Sequence, residues 1–211
     1  MKITLQPTLA RPLAALVWAA SATLLGACAP LIVGGAVVGG SMVAIDRRTA
    51  GAQVEDQSIE LKAAGRAREL ATLGHINVTS YNRMVLITGE VPTEDDRARV
   101  EDAVARMENV RSVVNELQVA GNSSLGQRSN DAILAGKVKA SFVDAKDLQA
   151  QALKVTTERG VVYLMGRVTE REATRAADVA RSVPGVHKVV RVFEVISEEE
   201  LAGLASPNKT K

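Results

Sequence analysis

Hydrophobic and polar positions divide the chain into regimes. Between Pro12 and Ile45 no charged side chain occurs. Beyond residue 54, apolar residues recur first at helical spacing and then in strict alternation. In the segment 130–143, Leu134, Val138 and Phe142 form one helical stripe, and Ser129, Asn130 and Asp131 supply start signals before it. Alternating runs follow at 155–157 and 161–165, joined by a short polar link at 158–160, which predicts a hairpin. A second helix is signalled by Thr169 with Glu172, a capping-box spacing, and a β-rich run at 186–196 closes the unit.

The same grammar occurs earlier in the chain. Residues 56–73 predict a helix, 76–79 and 84–88 a hairpin, Thr93 with Asp96 a helix start, and 110–119 a last strand. Ile76-Asn77-Val78-Thr79 corresponds to Leu153-Lys154-Val155-Thr156, and Val85, Ile87, Gly89 and Val91 correspond to Val162, Leu164, Gly166 and Val168. A repeat this long is a domain duplication rather than a solenoid. The expected fold class is α+β, two tandem αββαβ sandwiches with helices on one face of each sheet. Gly89 and Gly166 end the second strands of the two copies, where a positive-φ structural turn is expected. The expected organisation is a signal peptide at 1–27, a lipidated N-terminus and apolar Gly-rich stalk at 28–53, domains at 54–120 and 128–197, a linker at 121–127 and a solvated tail at 198–211.

The uncharged N-terminal stretch changes this picture by supplying an address. Lys2 and Arg11 precede a short apolar core at 13–25, and Leu25-Gly26-Ala27-Cys28 follows. This is a signal-peptide pattern, and it resembles the bacterial lipobox. The resemblance implies covalent diacylglycerol and an N-acyl lipid on Cys28, with no other cofactor. Ala29, in place of aspartate, points to the outer membrane, facing the periplasm. Pro30, Gly34, Gly35, Gly39 and Gly40 weaken the alternative of an uncleaved helical anchor, each glycine costing ~1 kcal/mol relative to alanine.

Val85-Leu86-Ile87-Thr88-Gly89-Glu90-Val91 and Val162-Tyr163-Leu164-Met165-Gly166-Arg167-Val168, with Pro184-Gly185-Val186 entering the last strand, resemble the BON domain. Glu108-Asn109-Val110 makes the first copy a looser match. The resemblance covers about two-thirds of the chain, and the doubled order behind a lipobox further resembles the dual-BON outer-membrane lipoproteins of Gram-negative bacteria.

Composition removes other classes. A single cysteine excludes an internal disulfide framework, and two histidines leave little for a metal centre. Neither His75 nor His187 lies in a nucleophile motif, so no catalytic residue, metal ligand or small-molecule substrate is expected, and both read as turn or surface residues. Aromatics are 2% of the chain, too few for base stacking, and nucleic acid is not expected as a partner. Net charge is +2, but Lys2 and Arg11 belong to the leader. The copies then differ: residues 54–120 carry 12 acidic and 8 basic side chains, and residues 128–197 carry 8 and 12.

A basic domain suits an anionic membrane surface. If Leu134, Val138 and Phe142 face the core, Ile133, Gly136, Lys137 and Ala140 share another face, with Lys139 and Lys146 nearby. Taken alone, these residues fit either an interfacial helix or a soluble helix with a solvated basic face. The resemblance implies anionic phospholipid as the partner of the second domain, with Leu125, Gly126, Ile133, Gly136, Lys137, Lys139, Ala140 and Lys146 as contacts. It also implies a role in envelope integrity at division sites. One departure matters, since the family's proteins place tryptophan where this chain has Ile133. The alternative is a protein-interaction adaptor docking outer-membrane assembly machinery or a peptidoglycan-associated complex.

Overall fold

Thr49 opens the first helix by accepting a hydrogen bond from the Ala52 amide, and α1 runs Ala50–Leu70. The computed structural model describes residues 46–205. Cys28, the leader, the segment 29–45 and residues 206–211 lie outside the described residues. After α1 come β1 (His75–Tyr81), β2 (Met84–Val91), α2 (Glu94–Ala105) and β3 (Ser112–Val119). The second unit repeats the order with α3 (Leu125–Asp144), a 3-10 turn at Ala150–Ala152, β4 (Lys154–Glu158), β5 (Val161–Val168), α4 (Glu170–Arg181) and β6 (Lys188–Val195). A last helix, α5, covers Glu198–Ala205.

Each sheet has three strands with the second in the centre, antiparallel to the first and parallel to the third. The hairpins turn at Asn82-Arg83 and at Arg159-Gly160, all four residues having positive φ, as a two-residue type I′ turn requires. A helix-borne aspartate caps each turn. Asp56 accepts from the amides of Asn82 and Arg83 at 2.7 and 2.8 Å, and Asp131 from those of Arg159 and Gly160 at 2.8 and 2.9 Å.

One face of each sheet carries helices. Ile59 and Ala63 of α1 and Val100 and Val104 of α2 close over Val85 and Ile87, and Leu134, Val138 and Phe142 of α3 with Ala176 of α4 close over Val162 and Leu164. The opposite faces meet each other. Tyr81 and Leu86 of the first sheet pack with Tyr163, Met165 and Val192 of the second, giving the layer order helix, sheet, sheet, helix.

Four sequence expectations are corrected. The expected linker 121–127 is shorter, because Ser124 and Gln127 form a capping box and start α3 at Leu125. It is also pinned rather than loose: Ser123 is buried, with its amide and hydroxyl on Glu90. The solvated tail begins instead with α5, whose Glu200 pairs with Arg167. The stalk does not reach residue 53, since α1 starts at Ala50 and Arg47 and Arg48 already contact the domains. Gly89 and Gly166 have the expected positive φ, +114° and +159°, but sit inside β2 and β5 rather than in turns. At both, a β-carbon would strike a neighbouring carbonyl oxygen, His75 O at 2.0 Å and Ala152 O at 2.4 Å. Close backbone approach, not chain reversal, is what these glycines permit.

Candidate functional site

The inner stripe of α3 is Asp131, Leu134, Val138 and Phe142, all buried. Helical geometry therefore turns Gly126, Ile133, Gly136 and Ala140 outward, and each of them is exposed. Ile133 is 59% exposed, and Leu125 and Val143 near the two ends are 80% and 68%. Lys137 and Lys139 flank this row, exposed, and Lys146 stands exposed just beyond the helix. The small side chains of Gly136 and Ala140 leave Ile133 raised above its surroundings. Asp131 is turned inward, so the outer face carries no acidic side chain before Asp144. A cleft of about 460 Å³ adjoins the row, with Ile133, Lys137, Arg159 and His187 in its wall. The sequence-predicted contacts of α3 are thus brought to one outward side of one helix, with Lys146 at its end.

By contrast, α1 exposes Val54 and Leu61 but mixes them with Glu55, Glu60 and Glu69. Its outer surface is neither acid-free nor uniformly basic.

A second cluster lies where the two sheets meet, and it includes a residue read from the sequence as a surface histidine. His75 is the first residue of β1, opposite Glu90 in register, and its side chain is only 17% exposed. Its Nδ1 lies 3.4 Å from Glu90 Oε2 without hydrogen bonding to it, and has no other partner. Glu90 is fully buried on the face toward the second sheet. Burial disfavours its charge, but the Arg159 guanidinium at 2.5 Å and the Ser123 amide outweigh this and hold the carboxyl below its ordinary range. Glu158, from β4, is pushed upward by burial despite the Asn77 amide that donates to it. His187, in contrast, is exposed. No nucleophile joins either histidine among the described residues, and no described helix is long and apolar enough to cross a membrane.

The BON domain model matches residues 60–121 and 130–197. Outer membrane lipoprotein DolP of Haemophilus influenzae is 38% identical over 186 residues, covering 86% of this chain and 95% of that protein. The 21 kDa hemolysin of Actinobacillus pleuropneumoniae is 33% identical over 155 residues, covering 72% and 80%. Osmotically-inducible protein Y of Escherichia coli is 30% identical over 120 residues, covering 54% and 58%. With two matched domains, this order of elements and a relative 38% identical over 86% of the chain, the protein belongs to the BON domain family, as a periplasm-facing outer-membrane lipoprotein.

Proposed function

We propose that the second BON domain recognises anionic phospholipid through α3, while lipid on Cys28 keeps the protein at the membrane. The observation that carries this reading is the outward row of Leu125, Ile133, Gly136, Ala140 and Val143, flanked by Lys137 and Lys139 and free of acid up to Asp144. An apolar side chain entering the headgroup boundary and lysines beside it are the two attractions that hold an interfacial helix. Each lysine near an anionic surface adds about 1 kcal/mol. Lipidation supplies residence and α3 supplies lipid preference, which together direct the envelope role toward anionic regions of membrane, including division sites.

Vesicle flotation tests the reading. The unlipidated chain is expected to float with phosphatidylglycerol vesicles and much less with phosphatidylcholine vesicles. Lys137→Glu reverses one charge and should weaken binding at least fivefold, by about 1 kcal/mol or more; Ile133→Asp should weaken it comparably. Equal recovery on both vesicle types removes the lipid-recognition claim.

A second reading, docking of outer-membrane assembly machinery or a peptidoglycan-associated complex, is favoured by the exposed Val54 and Leu61 on α1. Crosslinking in intact envelopes from that helix, yielding one stoichiometric protein partner insensitive to Ile133→Asp, would move the function there.

A further inference from the structure

His75 and Glu90 come from β1 and β2, and Glu158 comes from β4 of the other domain. Each offers one ligand atom, and the three atoms lie within 4.8 Å of one another. His75 Nδ1 is buried and without a hydrogen-bond partner, although Glu90 Oε2 is 3.4 Å away. Buried ring nitrogens normally find a partner, so this one is unexplained by the protein alone. The separation has a simple meaning in coordination geometry. Ligand atoms at about 2.0–2.1 Å from a tetrahedral zinc ion stand about 3.3 Å apart.

We propose that His75, Glu90 and Glu158 bind one divalent transition-metal ion, of which zinc fits the donors best, and that the ion clasps the two domains together. One imidazole and two carboxylates suit zinc and its first-row neighbours. Calcium, which takes 6–8 oxygen ligands, is poorly served by this set. Charge points the same way. Arg159 offsets Glu90 through Oε1, but Glu158 has no cationic side chain within ion-pair distance among the described residues, only the Asn77 amide on Oε1. Glu158 is thus left without a cationic partner among the described residues, and a dication supplies the missing positive charge. Ion binding requires modest adjustment: the Ser123 amide and hydroxyl both lie 3.2 Å from Glu90 Oε2, and the hydroxyl must rotate away. A cleft of about 270 Å³ bounded by His75, Asn77, Arg128, Asp131 and Glu158 gives solvent access.

The test uses the untagged, unlipidated full-length chain in detergent, stripped with EDTA and alkylated at Cys28 to remove its free thiol as a ligand. Calorimetric titration with Zn²⁺ is expected to saturate at one equivalent. His75→Ala and Glu158→Gln should each weaken binding at least tenfold, while His187→Ala, at an exposed site, should bind as the parent does. The chain has only two histidines, so their imidazole ¹⁵N resonances give a readout that needs no variant: Zn²⁺ should shift His75 and leave His187 in place. Absence of saturable binding overturns the proposal. So does a shift confined to His187, or unchanged affinity in folded His75→Ala.

Discussion

A polar side chain in phase with an apolar stripe marks a position where the fold needs a hydrogen-bond acceptor. Asp56 shares its helical face with Ile59, Ala63 and Ala67, and Asp131 with Leu134, Val138 and Phe142. The sequence marks Asp131 as a helix start signal, whereas α3 begins at Leu125 and carries Asp131 inside it on the buried face. The purpose of either aspartate was not legible, because the hairpin each caps lies more than twenty residues away. Asp56 also accepts from Ser80 Oγ at 2.6 Å and pairs with Arg48 at 2.7 Å. Burial opposes its ionisation, yet the bonds from Ser80, Arg83, Arg48 and Asn82 together hold its pKa below the ordinary aspartate value. Asp56→Ala leaves the Ser80 hydroxyl and the Asn82 and Arg83 amides without their acceptor and Arg48 with Asp46 alone, at an expected cost of about 3 kcal/mol. The sign with pH follows from linkage. A depressed carboxyl stabilises fully above the unfolded value near 4 and loses that contribution as pH falls through the lower folded value. Urea midpoints of parent and Asp56→Ala should therefore differ most at neutral pH and converge in acid. A gap independent of pH would assign the loss to packing. His75 was misread for a related reason: its position before an alternating run looks peripheral until the second sheet is laid over Glu90.

Elements were the most legible scale. Both hairpins, both pairs of helices and the closing strands follow from period and turn chemistry, and Thr169 with Glu172 closes a capping box as the spacing suggests. The ends of elements were less legible. Ser123-Ser124-Leu125-Gly126 reads as a loop because serine and glycine usually punctuate, yet Ser124 caps α3 and Gln127 bonds back to its amide at 2.8 Å. A cap of this kind contributes about 1 kcal/mol, and here it orders the turn that presents Leu125 and Gly126. Ser124→Ala is expected to lower stability by about that amount. Amide hydrogen exchange should accelerate in the first turn of α3 while α4, with its own intact box, stays protected. Equal acceleration in both helices would show that the loss is global rather than a fraying of one end.

At the scale of the whole molecule, the decisive feature is one that alternation along a strand could not reveal. Val85 to Val91 is buried without interruption, and Val162 to Met165 likewise, because a second sheet covers the face a lone sandwich leaves to water. The opposite charges of the domains meet in part across this junction, as Glu90 with Arg159 and Glu60 with Lys154, though Arg111 with Glu194 runs the other way. Arg47 adds a strap from before α1 to both carboxylate oxygens of Glu172, at 2.7 Å each. The apolar centre, however, is small: Tyr81 and Leu86 against Tyr163, Met165 and Val192. None of these belongs to the core beneath either pair of helices, so the junction can be broken without emptying a domain. Met165→Asp places a carboxylate at a site now 1% exposed, where an unpaired charge is strongly unfavourable. Opening the two sheets to water relieves it. The parent should then unfold calorimetrically in a single transition, and Met165→Asp in two, with the far-ultraviolet circular dichroism of the folded variant unchanged. If the variant still melts in one transition at a lower temperature, Met165 stabilises the second domain itself and the sheets are held together chiefly by the ion pairs at their rim.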